Sequence, residues 1–126
     1  GLLDRYPNLK IGLIEAGMGW VPFALEMLEH QFDEMLPDPA SLPGKRPWEY
    51  FRSNFWTTFW FEKLGPKTQL DIVGTDNILF ETDFPHPTSL YPDVQSHIVE
   101  ALGDQPFEVR KKILQDNPAR LYNLAL

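Results

Sequence analysis

Cysteine is missing altogether from the 126-residue sequence, so no disulfide framework holds the fold and no thiolate serves as nucleophile or metal ligand. Basic residues are few as well: 11 Lys and Arg against 18 Asp and Glu leave a formal charge of −7. These cations are scattered, which argues against a phosphate-tracking surface, because nucleic-acid binding draws on clustered Lys and Arg that displace counterions. The same shortage removes the basic face that a helix lying on a membrane needs. Long apolar runs are also lacking. None approaches the roughly 20 residues of a transmembrane helix, and the first residues show no signal-peptide pattern. These absences predict a soluble, cytoplasmic chain with neither a nucleic-acid nor a membrane partner.

What is there is burial material: 43% hydrophobic and 13% aromatic residues suffice for one packed domain. Residues 9–16 form a short apolar run between Tyr6-Pro7-Asn8 and Gly17, the pattern of a buried parallel strand, and the run closes on Glu15. Val21, Leu25, Leu28, Phe32 and Met35 then recur at helical spacing, with Pro22 tolerated in the first turn. Residues 37–47 hold Pro37, Pro39, Pro43 and Gly44, a density of breakers that predicts a long connection. The aromatic and β-branched stretch 54–60 reads as a second strand. Residues 64–73 read as a short helix starting no earlier than about Gly65, because of Pro66. A third strand is expected over 78–82 after a turn at Gly74 and Asn77. Helices over 93–102 and 106–115 and a last turn or two from Asn117 close the chain, with Asn117 as cap and Pro118 at the first helical position. There is no internal repeat. Strand and helix alternate, which forces parallel pairing and an α/β fold. The alternation is compatible with an open doubly wound sheet as well as with a barrel.

In a (β/α) barrel the catalytic groups sit where strands end and the following loops begin. The strand ends here are polar: Glu15 closes the first, Thr57 and Thr58 the second, and Asp83-Phe84-Pro85-His86-Pro87 follows the third. Each has a plainer role open to it. Glu15 can cap a loop or make an ion pair, Asp83 can close a turn with its own backbone, and a lone loop histidine such as His86 is often only hydrogen-bonded. His30 and His97 fall within helices and read as structural. Trp48, Trp56 and Trp60 read first as packing, although a tryptophan near the mouth could line a pocket.

Four blocks carry a more specific signal: Tyr6-Pro7-Asn8-Leu9-Lys10-Ile11, Glu15-Ala16-Gly17-Met18-Gly19-Trp20, Glu81-Thr82-Asp83-Phe84-Pro85-His86-Pro87 and Asn117-Pro118-Ala119-Arg120-Leu121-Tyr122. Their order and spacing resemble the amidohydrolase-related family that includes aminocarboxymuconate-semialdehyde decarboxylase and resorcylate-type decarboxylases. The resemblance implies a distorted (β/α)8 TIM barrel of which residues 1–126 are the C-terminal fragment, its strands being the sixth, seventh and eighth. It implies a metal-dependent hydrolase or decarboxylase, with a divalent metal, zinc foremost. Asp83 would bind that metal and handle a proton. Glu15 stands where the family commonly has His and would approach the metal through oxygen or a water. His86, Trp56 and Thr58 would line the substrate site, and Trp56, Phe59 and Phe84 would suit an aromatic or unsaturated carboxylic acid.

The family's His-x-His pair after strand one and its His after strand five have no counterpart here. The resemblance therefore implies no tight metal site in the isolated chain, since a catalytic zinc centre uses about three protein ligands. A barrel of this kind runs to about 250 residues. Three strands alone leave two open edges, so a homo-oligomer or a missing N-terminal half is expected. The competing reading is a catalytically inactive β/α module that binds a partner.

Overall fold

The computed structural model describes residues 1–34 and 43–126. A single helical turn, α1 (Leu2–Arg5), leads into β1 (Ile11–Leu13) and then α2 (Val21–Glu34). Next come α3 (Pro47–Asn54), β2 (Phe55–Phe59), two short helices α4 (Leu64–Thr68) and α5 (Leu70–Val73), and β3 (Ile78–Phe80). After a loop, α6 (Val94–Leu102) and α7 (Phe107–Lys111) follow. The latter runs through a π-helical turn (Lys112–Asp116) into α8 (Asn117–Tyr122). The strands lie in the order β1-β2-β3 and both pairings are parallel, with Leu13 opposite Thr57 and Phe59 opposite Phe80. The expected α/β alternation with parallel strands is what forms.

Strand β2 is central because its sequence suits burial on both faces. Phe55 and Phe59 turn toward the helices, where Phe59 joins Met18, Val21, Leu25, Phe51, Ile78 and Leu102 in the main core and its ring meets Phe80 at 5.4 Å. Trp56 and Thr58, on alternate positions, face the other side of the sheet. Helix α2 buries Val21 and Leu25, but Leu28 is 46% exposed and Phe32, under the Arg46 guanidinium, only half-buried, so the apolar stripe read from the sequence packs fully only along its first half. Met35, the last member of that stripe, and Pro37 and Pro39 of the connection lie outside the described residues.

The strands are shorter than the apolar runs suggested, three residues each for β1 and β3, because Glu15 and Asp83 turn the chain away at once with positive φ. Helix α3 begins at Pro47, where the expected connection ends, fills residues to which the sequence assigned no element, and takes in Asn54, the first residue of the expected second strand. Pro47 suits its first turn, and the Glu49 carboxylate accepts the Arg46 N–H at 2.8 Å in a capping box. Glu29 of α2 accepts the Trp48 N–H at 3.0 Å, while Arg46 meets Glu29 at 2.5 Å and Asp33 at 2.9 Å, tying α3 to α2. The helix expected over 64–73 starts at Leu64 and breaks into two at Gln69.

Asn117 does not cap a helix. Its backbone is helical and its side-chain amide, buried, donates to the carbonyls of Thr75 and Ile78 at 2.7 Å each. Two other buried asparagines do the same at the same end of the sheet. The Asn54 amide donates to Pro7 and Leu9 (2.9 and 2.8 Å), and the Asn77 amide to Phe51, Arg52 and Phe55 (3.1, 2.8 and 2.7 Å). Asn54 and Asn77 immediately precede β2 and β3 and Asn117 opens α8, and each fastens its element to the chain at or just before the start of the preceding strand. Among the described residues no helix is long and apolar enough to cross a membrane.

Candidate active site

Parallel pairing sends the C-terminal ends of all three strands to one edge, and there the acidic residues meet. Glu15 follows β1 after Ile14, in the left-handed region at φ +56°; Asp83 follows β3 at φ +58°. Non-glycine residues rarely adopt this conformation, and surrounding structure must hold them in it. At Glu15 two acceptors do so: its N–H donates to Thr58 Oγ1 at 3.1 Å and to Glu81 Oε1 at 2.9 Å. Thr58, on the strand between, thus links the loop after β1 to the end of β3.

Asp83 is held from its own loop. Its side chain is only 7% exposed, and Oδ2 accepts the Thr88 hydroxyl at 2.9 Å and lies 2.8 Å from His86 Nδ1. That nitrogen faces both the carboxylate and the Thr88 oxygen, also at 2.8 Å, so it carries the proton and leaves Nε2 open. The His86 ring itself is 59% exposed. Burial pushes the Asp83 carboxyl up, but hydrogen bonds from Thr88 and His86, the attraction of the imidazole and a side-chain hydrogen bond with Glu15 outweigh it and hold the group below the ordinary aspartate value. Asp83 is therefore ionised at neutral pH.

Glu81 behaves oppositely. Burial pushes it up, hydrogen bonds from Thr58 and the Glu15 backbone offset part of this, and the like charges of Glu15 and Asp83 add to the rise. Three carboxyl groups thus gather at one edge of the sheet, and the charges of Glu15 and Asp83 disfavour ionisation of Glu81.

The structure brings Asp83, Glu15, His86 and Thr58 together as the sequence suggested. Trp56 stands apart: it is the second residue of β2, two positions and thus about 6–7 Å below Thr58 on the same face. Its ring is buried, with the Arg120 guanidinium 4.7 Å from its centroid. Phe59 is no pocket residue, since its ring is buried in the helix-side core. Phe84 leans on Tyr91 at 5.4 Å at the exposed rim of the loop. An apolar cavity of about 340 Å³, lined by Leu13, Val21, Leu25 and Phe51 among others, lies on the helix side of the sheet, away from the carboxylates.

Two members of the cluster escape a reading of the sequence. Glu81 reads as an ordinary strand residue; the signal is its alternation with Leu79 and Asp83, which puts it on one face with them. Thr88 has no signal beyond its nearness to His86. Among the described residues no group of three or more His, Asp or Glu side chains is arranged to hold a metal ion by itself.

Known proteins share this fold. A gamma-resorcylate decarboxylase of Polaromonas sp. is 35% identical over 89 residues, which are 68% of this chain and 26% of that protein. The crystal structure of a dihydroxybenzoic acid decarboxylase from Polaromonas sp., with bound manganese and the inhibitor 2-nitroresorcinol, superposes with a TM-score of 0.76 at 28% identity, covering 98% of this chain and 36% of the other. The 5-carboxyvanillate decarboxylase of Sphingomonas paucimobilis superposes with a TM-score of 0.81 at 26% identity, covering 99% and 37%. The chain thus spans about a quarter of the length of the curated relative and little more than a third of the solved ones. The amidohydrolase family model matches residues 1–124, nearly the whole sequence, and the chain belongs to that family.

Proposed function

We propose that this chain is the C-terminal portion, strands six to eight with their helices, of a (β/α)8 barrel enzyme that removes the carboxyl group of a hydroxylated aromatic acid without oxidation, using a divalent metal. The observation that carries the reading is the meeting of Glu15, Glu81 and Asp83 at the C-terminal end of a parallel sheet, with His86 hydrogen-bonded to the last of them. The relatives act on aromatic carboxylic acids and are nearly three times the chain's length, so the activity is that of a longer polypeptide.

The donor chemistry fits a divalent cation in part. Carboxylate oxygens suit Mn²⁺, the ion bound by the Polaromonas structure, better than they suit zinc. Asp83 and Glu15 would contribute oxygen ligands, and the remaining ligands come from elsewhere in the longer polypeptide. When bound, the metal supplies positive charge that polarises a substrate oxygen.

The chain's own residues do the rest. His86, with Nδ1–H directed at Asp83, offers the lone pair of Nε2 to a substrate hydroxyl and orients it. The ionised Asp83 accepts the proton of a phenolic hydroxyl and delivers it to the ring carbon that bears the carboxylate. As that C–H bond forms, the C–C bond to the carboxylate breaks, its electron pair returns to the ring and CO₂ leaves; the phenolate takes its proton back from solvent. Thr58 faces the same opening, and Trp56 below it closes the floor against water.

The test is CO₂ release from gamma-resorcylate and 5-carboxyvanillate by the longer polypeptide. Turnover is expected to depend on Mn²⁺ and to fall about a thousandfold in Asp83→Asn. Undiminished turnover in that variant removes Asp83 from the mechanism.

A further inference from the structure

Residues 15–20, between β1 and α2, carry Glu15 but are held in place largely by β2 and the loop between β2 and α4. The Thr57 hydroxyl donates to the Gly17 carbonyl at 2.8 Å. Glu62, three residues beyond β2, spreads its carboxylate over two consecutive backbone donors. Oε1 accepts the Met18 and Gly19 N–H groups at 3.0 Å each, and Oε2 accepts the Met18 N–H at 3.2 Å. The Trp20 indole N–H closes the turn from within, donating to Ala16 at 2.8 Å and Gly17 at 3.1 Å. Gly17 is required on two counts: its φ is +71°, and a Cβ there would lie 2.9 Å from both Glu62 oxygens. Backbone and carboxylate are in direct contact, with no room for the turn to move toward β2.

The turn that begins at Glu15 is anchored at its first N–H by Thr58 and Glu81 and, two to four residues on, by Thr57 and Glu62. A carboxylate hydrogen-bonded to backbone N–H groups is among the stronger and more directional anchors available to a loop. We infer that Glu62 is a positioning residue for Glu15: by clamping Met18 and Gly19 it sets where the Glu15 carboxylate stands beside Asp83, and thereby how well the site takes up a divalent metal. The inference rests on the reading of the site given under the proposed function. Glu62 acts through the Met18 and Gly19 backbone rather than as a ligand.

The test uses the longer polypeptide, with Mn²⁺ affinity measured by titration calorimetry and thermal unfolding followed in parallel. Glu62→Gln keeps the size of the side chain but turns an NH₂ group toward backbone donors. It is expected to weaken Mn²⁺ binding about tenfold, the lower end of what partners behind a ligand contribute. In a Glu15→Gln background, already weakened, the same change is expected to have no further effect on affinity, because what it misplaces is gone. A purely structural Glu62 gives equal losses in both backgrounds, and that outcome overturns the proposal. An unchanged affinity in Glu62→Gln, with Glu15→Gln still weakened, overturns it equally. If Glu15→Gln itself leaves Mn²⁺ affinity intact, the assignment of Glu15 fails and the clamp's purpose fails with it. Glu62→Asp, which keeps the charge but withdraws the oxygens by one methylene, carries the same test should the amide variant not fold. Lys63→Ala, next in sequence and paired with Glu100, is the control expected to change affinity in neither background.

Discussion

The two ends of the three-stranded sheet solve the problem of buried polar groups in opposite ways. At the N-terminal end the polar side chains are the amides of Asn54, Asn77 and Asn117, neutral donors whose hydrogens all meet backbone carbonyls. At the C-terminal end they are carboxyl groups, with ionisation of Glu81 disfavoured by the charges of Glu15 and Asp83 and the last two set on backbone held at positive φ. The first arrangement lowers the energy of the fold, since each buried carbonyl is satisfied. The second raises it and keeps charge where a ligand could use it, the usual relation between strain and function. Substitutions at one end should therefore cost stability, and at the other should relieve it.

The largest effect is expected from Asn77→Asp. It replaces a donor by a carboxylate facing three carbonyls, at a position only 8% exposed, and should cost about 3 kcal/mol or more in chemical denaturation at pH 7. Part of the loss should return on acidification, when the carboxyl regains a hydrogen to donate. Asn117→Ala leaves the carbonyls of Thr75 and Ile78 unpaired and is expected to cost about 2 kcal/mol by the same measurement.

At the opposite end the sign should reverse. The folded state raises the Glu81 pKa, so its contribution to stability is complete below the ordinary glutamate value and is lost as pH rises through the folded one. Glu81→Gln is expected to raise stability at pH 7, by less than about 1 kcal/mol because the group is only half-buried, and to have no effect near pH 4. A melting temperature lowered at pH 7 would erase the contrast between the ends.

The smallest effect belongs to Asp76, near the amide end. Its hydrogen bond to Lys112 holds its carboxyl below the ordinary aspartate value, against burial that pushes it up. Its contribution is thus present above about pH 4 and lost as pH falls through the depressed value. Asp76→Asn should remove a few tenths of a kcal/mol at pH 7 and nothing in strong acid.

Much of this was legible in the residues. The alternation of apolar runs with helical spacing pointed to parallel pairing, and the polar residues closing each run, Glu15 and Asp83, marked the edge where the chemistry gathers. The rest depends on contacts distant in sequence. Asn117 beside Pro118 carries a strong local signal for a helix cap, but the partners of its amide lie 39 and 42 residues away, and no local pattern announces them. Glu81 was hidden because a strand residue two places before Asp83 looks like part of the ladder until the neighbouring strand brings Thr58 and Glu15 alongside. Helix α3 was legible in principle, with Pro47 and Glu49 at its start, but the prolines before it masked that signal.

The left-handed backbone at residues 15 and 83 also limits which side chains evolution or a designer can install at these two tips. Asn, Asp, His and Gly accept that conformation readily, whereas a branched or bulky residue would strain it. The main chain thus restricts the alphabet of donor atoms before coordination is considered. Exchanging Glu15 for histidine would change oxygen to nitrogen without asking the turn to rearrange.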